Sequence, residues 1–194
     1  MGKKKYVEKI IEFIEITPAF TARDIEVLTG SKEYAHLTLH NMVSRGIIHR
    51  LVKNCYSKYG DPTYIVYCYR PAYIGLEDAL SIHGLWSQET IPVVVTPRKI
   101  RTGIRNVTGY NVFIRRIDPR YFFGYEYIRY NRFYIPVSEI EKTLIDMAYY
   151  NRYIPEEVFN MASDRVDRQK LLRYLNIYPH KIRKRIIYRL KHLI

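Results

Sequence analysis

The chain has 194 residues, 47% of them apolar, which is enough for one large domain or two small ones with a buried core. Its formal net charge is +13 with a pI near 9.7, an excess of cations that suits DNA, RNA or an acidic protein partner. No stretch approaches the ~20 apolar residues of a membrane span. The start, MGKKKYVEKI, lacks the apolar core and cleavage site of a signal peptide, and Tyr6 stands where N-myristoylation would want Ser or Thr. The expectation is therefore a cytoplasmic protein with no membrane partner.

From Tyr6 to Ile16 the apolar residues Val7, Ile10, Ile11 and Ile14 follow helical spacing, and Pro18 ends the run. Thr21 opens a second helix with Asp24 as capping-box partner; Ile25 and Leu28 form its apolar face and Gly30 its stop. Ser31 caps a third helix that runs to Arg45, before Gly46. At about 100° per residue, Ala35, Leu39, Met42 and Val43 share one side of that helix. The other side holds Glu33, Tyr34, Leu37, His40, Asn41 and Ser44, flanked by Lys32 and His36. A structural surface helix usually shows Lys and Glu there. Asn can instead read adenine through two hydrogen bonds, and an apolar group can meet a thymine methyl.

IIHRLVKNCY and TYIVYCYR are rich in β-branched and aromatic residues and read as two strands joined at Gly60-Asp61-Pro62-Thr63. Three helices and a hairpin predict a winged helix-turn-helix that reads double-stranded DNA. Candidate DNA contacts are Thr21, Arg23, Lys32, Tyr34, His36, Leu37, His40, Asn41 and Arg45, with Lys53, Asn54 and Lys58, beside Tyr59, on the wing. A symmetric turn places Cys55 opposite Cys68, so a cross-strand disulfide is sterically allowed, although disulfides are rare in the cytosol outside hyperthermophiles.

Arg70-Pro71 marks a domain boundary, dividing a winged-helix domain (1–70) from a second domain (71–194). The second part opens with a helix whose Leu76, Ala79, Leu80 and His83 share a face, ended by Gly84. IPVVVT reads as a strand buried on both faces. The basic run PRKIRTGIRN offers Arg98, Lys99, Arg101 and Arg105 as a face for a partner or nucleic acid. YNVFIRRI alternates as a strand, and DPRYFFGYEYIRYNRFYIPV reads as a turn, a helical piece and a hairpin. SEIEKTLIDMAYY reads as a helix capped by Ser138 and Glu141, with Ile140, Leu144, Met147 and Ala148 inward. The tail, 151–194, reads as helices only, the last with a stripe of Ile182, Ile186, Leu190 and Leu193 that docks on its own domain. The fold class is α+β: an N-terminal winged helix-turn-helix, then a mixed α/β domain (71–150) with a helical tail.

Catalytic motifs are absent from the sequence: there is no GxGxxG, Walker loop, HExxH or GxSxG. His36 and His40 have the i, i+4 spacing of metal ligands, but no carboxylate or thiol stands beside them, so DNA-facing donors are the better reading. Glu77, Asp78, Asp118, Glu126, Glu139, Glu141 and Asp146 are the acids from which a metal-dependent nuclease would have to be built. No enzyme activity, metal or cofactor is expected.

The series AYIGLEDALSIHGL, IPVVVT with its basic run, YFFGYEYI and IPVSEIEKTLIDMAYY resembles the AbiEi family, the antitoxin and transcriptional-regulator component of AbiE phage-defence toxin–antitoxin systems. The resemblance is firmest from Ala72 to Tyr150. It departs at Gly75, where Ser is common, and at Ile140, near which Pro is expected. It implies an N-terminal winged helix that binds inverted repeats at its own promoter and represses the operon. It also implies a C-terminal antitoxin domain that counteracts a nucleotidyltransferase-like toxin, with or without a stable complex. Monomer and homodimer are both compatible with that plan. Alternatives are a regulator whose second domain senses a ligand or partner, without a toxin, and a nuclease targeted by a winged helix.

Overall fold

Residues 2–194 are described by a computed structural model; Met1, part of the Met-Gly start considered above, lies outside the described residues. In chain order the elements are α1 (Gly2–Ile16), β1 (Phe20–Thr21), α2 (Ala22–Thr29), α3 (Lys32–Ser44), β2 (His49–Val52), β3 (Cys55–Ser57), a 3₁₀ helix (Pro62–Tyr69), β4 (Tyr73–Ile74), α4 (Leu76–Ile82), β5 (Val93–Thr96), β6 (Gly103–Val107) and β7 (Tyr110–Arg116). A 3₁₀ turn (Pro119–Tyr121) leads to β8 (Tyr125–Tyr130), β9 (Phe133–Ser138), α5 (Ile140–Tyr149), α6 (Glu156–Ser163), α7 (Arg168–Leu175) and α8 (His180–Arg189). The protein is α+β. Its chain divides into two units: residues up to Arg70 with Ile104–Val112, and Pro71–Gly103 with Phe113–Ile194. The segment Ile104–Val112 belongs by its contacts to the first unit, where the Thr108 hydroxyl donates to the Gly60 carbonyl at 2.8 Å.

The first unit packs α1, α2 and α3 around Ile10, Ile14, Phe20, Ile25, Ala35, Leu39, Met42 and Ile48. Each of the Ile, Leu, Met and Phe side chains among them contributes roughly 1.5–3 kcal/mol when fully buried. Thr21 and Asp24 form a complete capping box at the start of α2, and Gly30 ends it in the left-handed conformation, φ 72°. Beneath the helices lies a three-stranded antiparallel sheet in the order β1-β3-β2.

The hairpin differs from the sequence expectation. It is β2–β3, closed at Lys53-Asn54, with Asn54 at φ 65°. TYIVYCYR is not a strand but the 3₁₀ helix. Asp61 accepts from the Thr63 amide at 2.9 Å, and Pro62 begins the helix with its φ already set. Four consecutive residues, Thr63 to Val66, are buried, which a strand with one wet face cannot do. Lys58 and Tyr59 therefore do not sit on a wing tip. Lys58 pairs with Glu15 at 2.7 Å, and the Tyr59 hydroxyl donates to the Glu15 carbonyl at 2.5 Å.

Cys55 and Cys68 are joined by a disulfide with Cα atoms 5.8 Å apart, and it ties β3 to the 3₁₀ helix rather than strand to strand. Closing a loop of sequence separation 13 is expected to stabilise the first unit by about 3 kcal/mol. Urea unfolding of the Cys55→Ser/Cys68→Ser double variant, against the oxidised protein, should show that loss. Equal midpoints would mean the bridge adds nothing.

The mixed sheet has the strand order β6-β7-β5-β4-β9-β8, and the second unit holds its strands β5, β4, β9 and β8 with β7 from Phe113 on. In it β5 runs parallel to β7 and β4 parallel to β9, while β4–β5 and β8–β9 are antiparallel. Strand β6 arises inside the basic run that the sequence left as a loop. Among the residues of β6 only Val107 is buried, so no apolar alternation announced it. Helix α5 is buried on every side from Glu141 to Ala148. It packs with Tyr73, Leu80, Val95, Val158, Leu171 and Ile186 into one core. Contrary to the expectation from sequence, Ser138 does not cap α5. It ends β9, and its hydroxyl bonds the Thr143 hydroxyl at 2.6 Å; Glu139 takes the cap position without a side-chain bond. Ile186, Leu190 and Leu193 of the last helical segment are buried, so its apolar stripe is docked. No helix among the described residues is long and apolar enough to cross a membrane.

Candidate nucleic-acid interface

The outer face of α3 is positioned by its inner one. Ala35, Leu39 and Met42 are buried against α1 and α2, which fixes the helix rotation. Lys32, His36, Leu37, His40, Asn41 and Arg45 are left exposed. Leu37 is 59% exposed, an aliphatic side chain offered to solvent on an otherwise sorted helix. Ser31 accepts from the Tyr34 amide at 3.3 Å, so the first turn is capped. Tyr34, grouped with the outer residues from sequence, is only partly exposed and lies 6.2 Å from the Tyr6 ring.

Two hollows border this face. One, of about 530 Å³, lies between α2, the first half of α3 and the β2–β3 turn. Arg23, Lys32, His36, Arg50, Lys53 and Asn54 line it, with Glu26 as its acid. Arg23 pairs with Glu26 at 2.7 Å, so Lys32, Arg50 and Lys53 supply the charge excess. Cations converging from three elements on a hollow of this size suit phosphate oxygens. The other, about 250 Å³, is a largely apolar groove where Val7, Ile11 and Ile47 meet Leu37, Asn41 and Arg45.

Arg50 and Tyr56 of the cleft were missed from sequence. The signal was present in outline, because Arg50 and Tyr56 are register partners across β2–β3 and point to one side. It was hidden by the misplaced hairpin, which paired IIHRLVKNCY with the wrong segment. Thr21 is committed to its cap: it accepts from the Asp24 amide at 3.3 Å and donates to the Asp24 carboxylate at 2.8 Å. Lys58 is held by Glu15 and is not part of the cleft. The proposed second basic face is divided. Arg98, Lys99 and Arg101 are exposed in the second unit, whereas Arg105 lies on β6 within the segment belonging to the first.

Five of the seven acids considered for a nuclease, Glu77, Asp118, Glu139, Glu141 and Asp146, are held in ion pairs or hydrogen bonds. Glu77 pairs with Arg152 at 2.5 Å and Asp118 with Arg120 at 2.8 Å. Glu139 accepts from the Tyr174 hydroxyl at 2.6 Å, and burial together with that bond pushes the Tyr174 hydroxyl up to about 12. Glu141 accepts from the Asp167 amide at 2.8 Å and pairs with Lys170 at 2.9 Å. Asp146 and Lys142 form a wholly buried ion pair one helical turn apart on α5. The Tyr73 hydroxyl donates to Asp146 at 2.6 Å, and the Lys142 ammonium lies 3.2 Å from the Tyr178 hydroxyl and 4.8 Å from the Phe123 ring centre. Burial pushes the Asp146 carboxyl up and the Lys142 ammonium down, each opposed by the other's charge. Gly124 makes room for this cluster: at φ 65°, a Cβ there would stand 2.9 Å from the Tyr174 ring and 3.1 Å from Lys142 Cβ. Among the described residues, no three His, Cys, Asp or Glu side chains gather as a metal site.

No protein-family model matches the chain. No curated protein matches it either. Among solved structures, the RV2827C protein from Mycobacterium tuberculosis is similar in fold, with a TM-score of 0.58 over 97% of this chain and 77% of that one, at 12% identity.

Proposed function

We propose that the first unit is a winged helix that binds double-stranded DNA at inverted repeats in its own promoter, and that the protein acts as an autorepressor and antitoxin opposing a nucleotidyltransferase-like toxin. One observation carries the DNA reading: the exposed outer face of α3 continues into the cationic cleft completed by the β2–β3 turn. In this reading α3 lies in the major groove, with Asn41, His40, His36 and Leu37 toward base edges. Lys32, Arg23, Arg50, Lys53 and Asn54 hold phosphates, and the β2–β3 turn serves as the wing. The antitoxin part rests on the ordered motifs from Ala72 to Tyr150 that resemble the AbiEi family.

Two assays test the reading together. A reporter driven by the DNA upstream of this gene should be repressed by the protein and relieved by Lys53→Ala. Co-expression with a nucleotidyltransferase-like product of the adjacent gene should restore growth. Repression without rescue would leave a regulator whose second unit senses another partner, and rescue without repression would remove the DNA function from the proposal.

A further inference from the structure

We propose that the outer end of the β8–β9 hairpin is a stacking platform for single-stranded nucleic acid, distinct from the α3 face. Strand β8 is the last strand of its sheet, and Arg129 stands opposite Tyr134 and Tyr127 opposite Pro136. Alternation puts Tyr127, Arg129 and Tyr134 on one side and Glu126 on the other. Tyr127 is 63% exposed and Tyr134 60%. They are diagonal neighbours across the two strands, ~7–8 Å apart at the backbone, so two rings are offered side by side with a guanidinium next to them. Arg132 occupies the turn, and no acid shares this side.

The platform is held on a fixed base. At the inner end of the hairpin Tyr125 stacks on Tyr73 at 5.7 Å, Tyr73 stacks on Phe122 at 5.2 Å, and the Tyr73 hydroxyl is bonded to buried Asp146. At the outer end Asn131 and Arg132 make a two-residue turn, with Asn131 at φ 52°. Rings presented on an ordered hairpin lose little freedom on binding. A duplex keeps its bases stacked on one another, so exposed tyrosines can take up only splayed, single-stranded bases, while arginines hold the backbone. RNA and single-stranded DNA share that chemistry.

The test is fluorescence anisotropy of the full chain with labelled oligouridylate and oligothymidylate of ~12 nucleotides. Tyr127→Ala and Tyr134→Ala should each weaken binding about fivefold or more, Tyr127→Phe should retain it, and Arg129→Gln should flatten its salt dependence. Circular dichroism establishes that each variant is folded. Tyr153→Ala, at a tyrosine 75% exposed elsewhere in the same unit, should change nothing. Binding of RNA alone or of both strands supports the platform and says which strand it takes. No measurable single-strand binding, or equal losses in Tyr127→Ala and Tyr153→Ala, overturns it.

Discussion

Replacing Lys142 with methionine is expected to destabilise the second unit by about 3–5 kcal/mol. The reason is what remains behind. Asp146 and Lys142 are both fully buried on α5, and without the ammonium the carboxyl keeps only the Tyr73 hydroxyl from that network. A lone buried carboxylate is far costlier than the pair is beneficial. The double variant Lys142→Met/Asp146→Leu should therefore recover most of the loss, since both charges leave together and the volumes are nearly kept. Chemical denaturation of the two variants decides the matter. If the double variant is as unstable as the single one, the packing around Phe123 and Tyr178, rather than the charge pair, is what α5 depends on.

The second large effect concerns DNA. Asn41→Ala should reduce the preference for specific over random DNA by ~1–3 kcal/mol, the worth of a two-bond base contact, while affinity for random DNA stays the same. Lys53→Ala should weaken both alike and lower the salt slope by about one. The asymmetry follows from place: Asn41 is exposed on α3, and Lys53 lines the cleft at the β2–β3 turn. Equal losses on both DNAs for both variants would sink this division of labour.

Much of this was legible in the sequence, and the misses have physical causes. The caps at Thr21 and Ser31 and the Gly30 stop are local chemistry, so they could be read residue by residue. The rotation of α3 followed from Ala35, Leu39 and Met42, because a helix with one wet face keeps a clear period. TYIVYCYR defeated the same logic. Buried on successive residues, it has no wet face to set a period, and its β-branched and aromatic content imitates a strand. The decisive signal was the Asp61-Pro62 pair, read as a turn rather than as the start of a helix. Lys142 and Asp146 are hidden for a different reason. Charged residues are nearly always wet, so nothing in EKTLID announces that two of them meet in the core. The cleft at α3 was half legible: Arg23, Lys32 and Lys53 were named, whereas Arg50 needed the true register of β2–β3.

The central claim is that the first unit reads DNA sequence. Its most direct test is an anisotropy titration of DNA from just upstream of this gene, with random DNA as competitor, at low and at near-physiological salt. Sequence reading predicts that affinity falls with salt for both DNAs while the preference for the upstream DNA persists at the higher salt. Binding that falls equally on both, with no preference at either salt, would contradict it. The cationic cleft would then be a generic polyanion surface, and α3 would not be a recognition helix.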